Sequence, residues 1–308
     1  MASLAEIENK AGLARITCGW KKPELPIDWV LSYWRDVHSP AIARRGGIYD
    51  YRHYQYGPVR TNILTEILEI NFTAPPLEQL MWTSDVRYLD ETYLAAFDRS
   101  PFGKVKADLL GDIDLIVDKS TTYRAVGESG YTFVDRTGIA MPQGPTPTPT
   151  FALFIRSRSD QTTFRATMKQ IATVWAAKPG VLRLRISLLD APDIEKERAS
   201  GYPIKTHPHE MQYQALIDIS LDSEISAKSL IEATDNIDYV AHIKEIHAYP
   251  VNVVYTSVYG GKITLVGLRG YSAYQAIMAL GATNQRQTSL LEWMYGPAAH
   301  AGTAEDLY

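Results

Sequence analysis

Residues 32 to 56 read Ser-Tyr-Trp-Arg-Asp-Val-His-Ser-Pro-Ala-Ile-Ala-Arg-Arg-Gly-Gly-Ile-Tyr-Asp-Tyr-Arg-His-Tyr-Gln-Tyr. The first part continues a helical pattern that starts at Pro26. Trp29, Val30, Tyr33, Trp34 and Val37 recur at spacings of three and four and make one apolar stripe. The spacing predicts a helix over 26–45, stopped by Gly46-Gly47. His38 follows Trp34 by four positions, so the two share a helical face. After the glycines the period changes to two, which predicts a strand over 48–56. Tyr49, Tyr51, His53 and Gln55 then share one face, and Asp50, Arg52, Tyr54 and Tyr56 the other. A face of two tyrosines, a histidine and an amide is unusually polar for a sheet covered on both sides. A buried ligand pocket accounts for it.

Working outward, 13–20 reads as a strand before this helix. A strand over 63–73 closed by Pro75-Pro76, a helix over 84–97 and a last strand within 113–126 follow. Four alternating prolines between Met141 and Thr150 favour an extended linker. Beyond it come a strand at 151–155, a helix over 161–177 capped by Asp160, a strand at 181–189 and a strand at 211–219. A helix over 221–234 and a strand over 238–249 complete the half. Both halves therefore follow β-α-β-β-α-β, the ferredoxin-like order. The fold class expected is α+β: tandem ferredoxin-like domains packed sheet to sheet as an intramolecular barrel. The division is 1–141 for the first domain, 142–150 for the linker and 151–258 for the second domain. Residues 259–308 form an extension with a hairpin turned by Gly260-Gly261, a helix over 271–280 and a tail carrying Trp293 and Tyr295.

Composition sets the outer bounds. The 308 residues carry 31 Lys+Arg against 35 Asp+Glu, a net charge of −4, which argues against nucleic acid or an anionic membrane as partner. Cys18 is the only cysteine, so no disulfide closes within the chain. No apolar run reaches the roughly 18 residues of a membrane span. The expected location is the cytoplasm, the expected partner is a small molecule, and a homodimer stays open. Nineteen tyrosines against seven phenylalanines supply apolar faces with hydroxyl handles.

The quoted stretch resembles the EthD family of the dimeric α+β barrel superfamily. Tyr33, Trp34, His38, Pro40, Gly47 and His53 match its pattern of an aromatic pair, a histidine before a small residue and Pro, a glycine stop, and a strand containing histidine. The match covers about residues 13–60. In the second half, 164–175 occupies the equivalent helix without a matching histidine, which reads as a degenerate copy completing the barrel. The resemblance implies cofactor-independent His/Tyr chemistry in a pocket between sheet and helices, as in muconolactone-type isomerases, polyketide cyclases and hydroxynitrile lyases. Haem-dependent enzymes share the superfamily.

The resulting expectation is a lyase or isomerase of aromatic-compound catabolism, acting on an aromatic or lactone-like, carboxylated small molecule. No cofactor or metal is expected. His38 or His53 would be the acid/base, Tyr49 and Tyr51 would stabilise an oxyanion, Tyr33 and Trp34 would line the pocket, and Arg44 or Arg45 could clamp a carboxylate. A haem-dependent oxidoreductase and a non-catalytic metabolite-binding protein are the rivals. His207-Pro-His-Glu210 lacks a second ligand pair at helical spacing, and no Gly-x-Ser-x-Gly elbow is present.

Overall fold

The computed structural model describes residues 3–101, 103–199, 205–234 and 236–296. Strands β1 (Leu13–Lys21), β2 (Asp50–Tyr56), β3 (Trp82–Tyr88) and β4 (Val117–Val126) belong to the first half, with β5 (Gly130–Asp135) and β6 (Gln143–Pro145) after them. The second half holds β7 (Thr150–Ser157), β8 (Val181–Leu188), β9 (Ala215–Leu221), β10 (Ile243–Tyr259) and β11 (Lys262–Ile263). The spatial order is β4-β1-β3-β2-β10-β7-β9-β8-β5, with antiparallel pairing throughout this path. Each half thus shows its four strands in the order fourth, first, third, second, which is the ferredoxin-like arrangement.

The fourth strand of each half crosses into the other. β10 is 17 residues long; its first part pairs with β7 and its second with β2. β4 runs through Gly127–Ser129 into β5, which pairs with β8. Arg124 and Asp190 also exchange backbone hydrogen bonds, at 3.4 and 2.8 Å. These links curl the sheet round on itself into a barrel.

The loops are exchanged as well, and here the sequence reading needs correction. Residues 63–73 are not a strand. They form an irregular strap that carries Ile63, Leu64, Ile70 and Phe72 into the second half's core. Their apolar run reflects burial across the halves rather than sheet pairing. In return the β8–β9 connection crosses to the first half, where Ser120 N–H donates to the Lys205 carbonyl at 2.8 Å.

The helix expected over 84–97 is also displaced. Residues 82–88 are β3, and the helix is Glu91–Arg99, capped by Asp90, whose carboxylate accepts from Thr92 N–H at 2.8 Å. The helix expected over 26–45 is two short α-helices, Ile27–Tyr33 and Ser39–Ala43, joined by a π-helical turn at Trp34–His38. Gly47 ends the segment at φ 85°, and a Cβ there would lie 2.1 Å from the Tyr93 carbonyl oxygen. The strand predicted at 238–249 starts only at Ile243, as β10, because Asp238 caps a short helix, Tyr239–His242; Gly260-Gly261, both at positive φ, turn β10 into β11. The helices Tyr271–Ala279 and Thr288–Tyr295 follow; Trp293 in the second is 83% exposed. No described helix is long and apolar enough to cross a membrane.

Three layers hold the fold. In the second half the helix Gln161–Ala176 fills the sheet's outer face with Phe164, Met168, Ile171, Ala172 and Trp175, leaving a solid apolar core. Inside the barrel one section is apolar, built on Ile16, Cys18, Trp20, Tyr123, Phe154 and Tyr249. The other section is ionic. Glu8, delivered by the N-terminal helix Leu4–Glu8, lies 2.7 Å from Arg52, 3.4 Å from Arg87 and 3.0 Å from Arg183. Arg183 also meets Asp218 and Arg87 meets Asp85, each at 2.5 Å. This explains the second face of β2, where Asp50 and Arg52 are buried charges rather than solvent-facing ones.

Candidate functional site

The first half differs from the second in leaving space between its sheet and its helices. A cleft enclosing about 570 Å³, its open mouth included, is floored by β1 and β3 and roofed by Trp34, His38 and Ile42. The π turn matters here: it places Trp34 and His38 in contact, with ring centroids 4.1 Å apart, and both point at the sheet. Trp34 Nε1 donates to Ser84 Oγ at 3.0 Å, pinning the roof to β3.

His38 is 4% exposed, and its Nδ1 lies 2.9 Å from Asp112 Oδ2. The Tyr33 hydroxyl donates to the same oxygen at 3.1 Å. A carboxylate accepts only, so the imidazole carries its proton on Nδ1 and presents Nε2 as the basic nitrogen. Among the described residues Nε2 has no hydrogen-bond partner, and His38 lines the cleft. Tyr33 therefore supports the carboxylate from behind instead of lining the pocket.

The other residues singled out from sequence separate cleanly. Trp34, Tyr51 and Arg45 line the cleft. Tyr51 already donates its hydroxyl to Ser39 Oγ at 2.9 Å, and burial raises its pKa, so it stays a neutral phenol. Arg45 donates to the carbonyls of Ser100 and Phe97, at 2.5 and 2.7 Å, and its guanidinium stacks 3.6 Å above the Phe97 ring. Tyr49 sits just before β2, outside the alternation expected of it, and donates to the Ile7 carbonyl at 3.0 Å, away from the cleft. Arg44 caps the helix Leu265–Arg269 through the carbonyls of Gly267 and Leu268, so it anchors the C-terminal extension.

His53 does share a sheet face with Tyr51, but it lies beneath the helix, fully buried, stacked on Tyr255 and 3.2 Å from Gln55 Nε2. Burial, with the charge fields of His38 and Arg35, pushes its pKa down to about 3. The same cause takes His247, held by the Tyr213 hydroxyl at 2.8 Å, to about 4. Both are neutral when folded and bind a proton more readily when unfolded, near pH 6.5. Stability is therefore expected to fall as pH drops from about 6.5 towards 4, before most carboxylates titrate. Melting temperatures across that range should show a shallower slope in His53→Gln; an unchanged slope would contradict the assignment.

Several cleft residues escaped sequence reading. Asp112 stands 74 positions from His38, and no local spacing links them. Arg15 and Thr17 on β1, Tyr88 on β3, Asp98, Lys106 and Glu197 form the far wall. Arg15 alone carried a signal, as a charged residue on an otherwise apolar strand. Its guanidinium makes a two-point pair with Asp98, at 2.6 and 3.2 Å. Glu197 comes from the β8–β9 connection, so the second half completes the first half's cleft. His207, flagged within the His-Pro-His-Glu stretch, is 2.5 Å from Glu78 and stacked on Trp20. Among the described residues no group of three His, Cys, Asp or Glu is disposed to hold a metal ion.

Fold and site together define a fused α+β barrel with a histidine–aspartate pair in a helix–sheet cleft of its first half. Comparison with solved structures finds a proposed monooxygenase from Fusobacterium nucleatum, with TM-score 0.42 and 9% identity over 82% of this chain and 97% of that one. An anthrone oxidase-like protein gives TM-score 0.42 and 9% identity over 79% and 92%. A chlorite dismutase variant from Candidatus Nitrospira defluvii gives 0.39 and 10% over 82% and 95%. No protein-family model matches the chain, and no curated protein matches it by sequence. The EthD resemblance rests on its motif residues.

Proposed function

We propose that this protein is a cofactor-independent lyase or isomerase, and that His38 is its acid/base. One observation carries the reading: Asp112 holds His38 Nδ1, which leaves Nε2 as the base in a cleft of small-molecule size. Nε2 would take a proton from an acidic C–H or O–H of the substrate, and Asp112 would stabilise the imidazolium. Return of the proton to another atom gives isomerisation. Loss of a leaving group gives elimination or ring opening, and protonation of a carbanion completes decarboxylation. The apolar surfaces of Ile42, Val86 and Phe97 suit an aromatic or lactone-like body, and the cationic Arg45 and Lys106 suit a carboxylate on it. In this reading residues 1–141 hold the working site and 151–258 complete the barrel; the solid apolar packing under the second half's helix supports that choice.

The haem-dependent reading makes a different demand. His38 Nε2 would have to face iron across a wide apolar slot, whereas the wall opposite carries the Arg15–Asp98 pair, Lys106 and Glu197. That donor set suits a small polar substrate better than a porphyrin. An absorption spectrum of the purified protein separates the two: a Soret band would overturn the cofactor-independent reading. Turnover of a panel of lactones and carboxylated aromatics is the direct test. His38→Gln should keep the fold and lower turnover by about 10²-fold or more; wild-type turnover in that variant would remove His38 from the mechanism.

A further inference from the structure

Two polar groups in the cleft have no hydrogen-bond partner among the described residues. The Tyr88 hydroxyl and Arg15 Nε are buried without a hydrogen-bond partner among the described residues, and both residues line the cleft. Tyr88 is 0% exposed and Arg15 8%. They stand on adjacent strands facing the helices: Tyr88 pairs with Leu13, two residues before Arg15. Leaving such groups unbonded costs about 1–3 kcal/mol each, so their persistence in a water-sized or larger space calls for a guest.

The chemistry of the guest follows from what the pair offers. Asp98 engages both terminal nitrogens of Arg15, so its charge is largely compensated, and its Nε–H is left without an acceptor among the described residues. Beside it stands one O–H. Burial raises the Tyr88 pKa, so that hydroxyl is a donor that keeps its proton. One N–H and one O–H on neighbouring strands of the cleft floor make a place for a single oxygen that carries or develops negative charge. Asp98 and Glu197 nearby disfavour a fully charged carboxylate at this spot.

We infer that Tyr88 and Arg15 form the cleft's oxyanion site, receiving the carbonyl oxygen of a small cyclic substrate whose acidic hydrogen lies towards His38. The inference rests on the cleft being the active site and names the substrate class: an enolisable cyclic carbonyl compound, such as a lactone or a ring ketone. Tyr88 and Arg15 take the role that the sequence suggested for Tyr49 and Tyr51, whose hydroxyls are already given to Ile7 and Ser39.

The test uses 4-nitrophenol as probe, a ring with one oxygen whose ionisation is visible by absorption. Wild type is expected to bind it with enrichment of the phenolate band. Tyr88→Phe should bind it about 10-fold more weakly, as loss of one charge-assisted hydrogen bond predicts. The same variant should melt at the wild-type temperature or above it, because the hydroxyl it loses has no partner among the described residues. Equal affinity in Tyr88→Phe, or no binding to wild type, would overturn the inference. So would a drop of several degrees in the variant, which would mean the fold uses that hydroxyl. Tyr88-dependent binding together with unimpaired turnover in His38→Gln would remove the acid/base reading and leave this one standing.

Discussion

Glu8→Gln is expected to destabilise the protein by about 3–5 kcal/mol, the cost of breaking a buried ion pair from one side. For a chain of this size that is a fall in melting temperature on the order of 10 °C. Glu8 is 2% exposed and is bound by Arg52, Arg87 and Arg183, each of which is itself buried. Burial is the largest influence on its carboxyl and works to raise the pKa. Arg183, Arg52, Arg87 and Arg185 together overcome it and hold the pKa well below the ordinary value. The carboxylate's contribution is therefore complete above the unfolded-state pKa of about 4.3 and is lost as pH falls through the lower folded value. Glutamine keeps the shape but removes the one carboxylate that all three guanidiniums share, leaving each with its remaining aspartate, Asp50, Asp85 or Asp218. The variant should melt early at pH 7 and lose less than wild type on further acidification. Glu224→Gln is the control: its pair with Arg60 is 49% and 37% exposed, and its loss should cost under about 1 kcal/mol. A Glu8 variant that melts like the Glu224 variant would show that the N-terminal helix does not hold the barrel.

The same buried charges explain where the sequence misled. In 82–88, Trp82, Ser84, Val86 and Tyr88 face the helices while Thr83, Asp85 and Arg87 face the lumen. Polar residues on the inward face of a strand look like a helix's solvated side, and so the pattern over 84–97 predicts a helix that starts within β3. Residues 63–73 failed for the opposite reason, since Ile63, Ile70 and Phe72 are apolar for a core that belongs to the other half. Where burial was local the pattern was legible: Phe164, Met168, Ile171 and Trp175 mark a true helix, and Asp160 caps it through Thr163 N–H at 3.0 Å. The site divides along the same line. Trp34 and His38 show in helical spacing because one element carries both. Asp112, Arg15, Tyr88 and Glu197 arrive from four other elements, and only the closed barrel brings them together.

Asp112→Asn should then cost nearly as much turnover as His38→Gln, on the order of 10²-fold, as for other groups that orient a working histidine. The two side chains are almost isosteric, and the Tyr33 hydroxyl, which reaches the same atom as Nδ1, can turn from donor to acceptor. What changes is the proton. The carboxylate requires Nδ1–H. An amide can turn its NH₂ towards Nδ1 instead, which moves the ring proton to Nε2 and leaves no base facing the cleft. An imidazolium formed during the reaction would also lose its counter-charge. The melting temperature should change little, since the hydrogen bonds can all be remade, and ground-state affinity should hold because Asp112 lies behind the imidazole. The loss should therefore fall on kcat with KM nearly constant. Tyr33→Phe keeps the carboxylate and the tautomer while deleting one of its hydrogen bonds, so its loss should be about 10-fold or less. A large loss in Tyr33→Phe beside a small one in Asp112→Asn would reverse this order and show that position, rather than tautomer, governs His38.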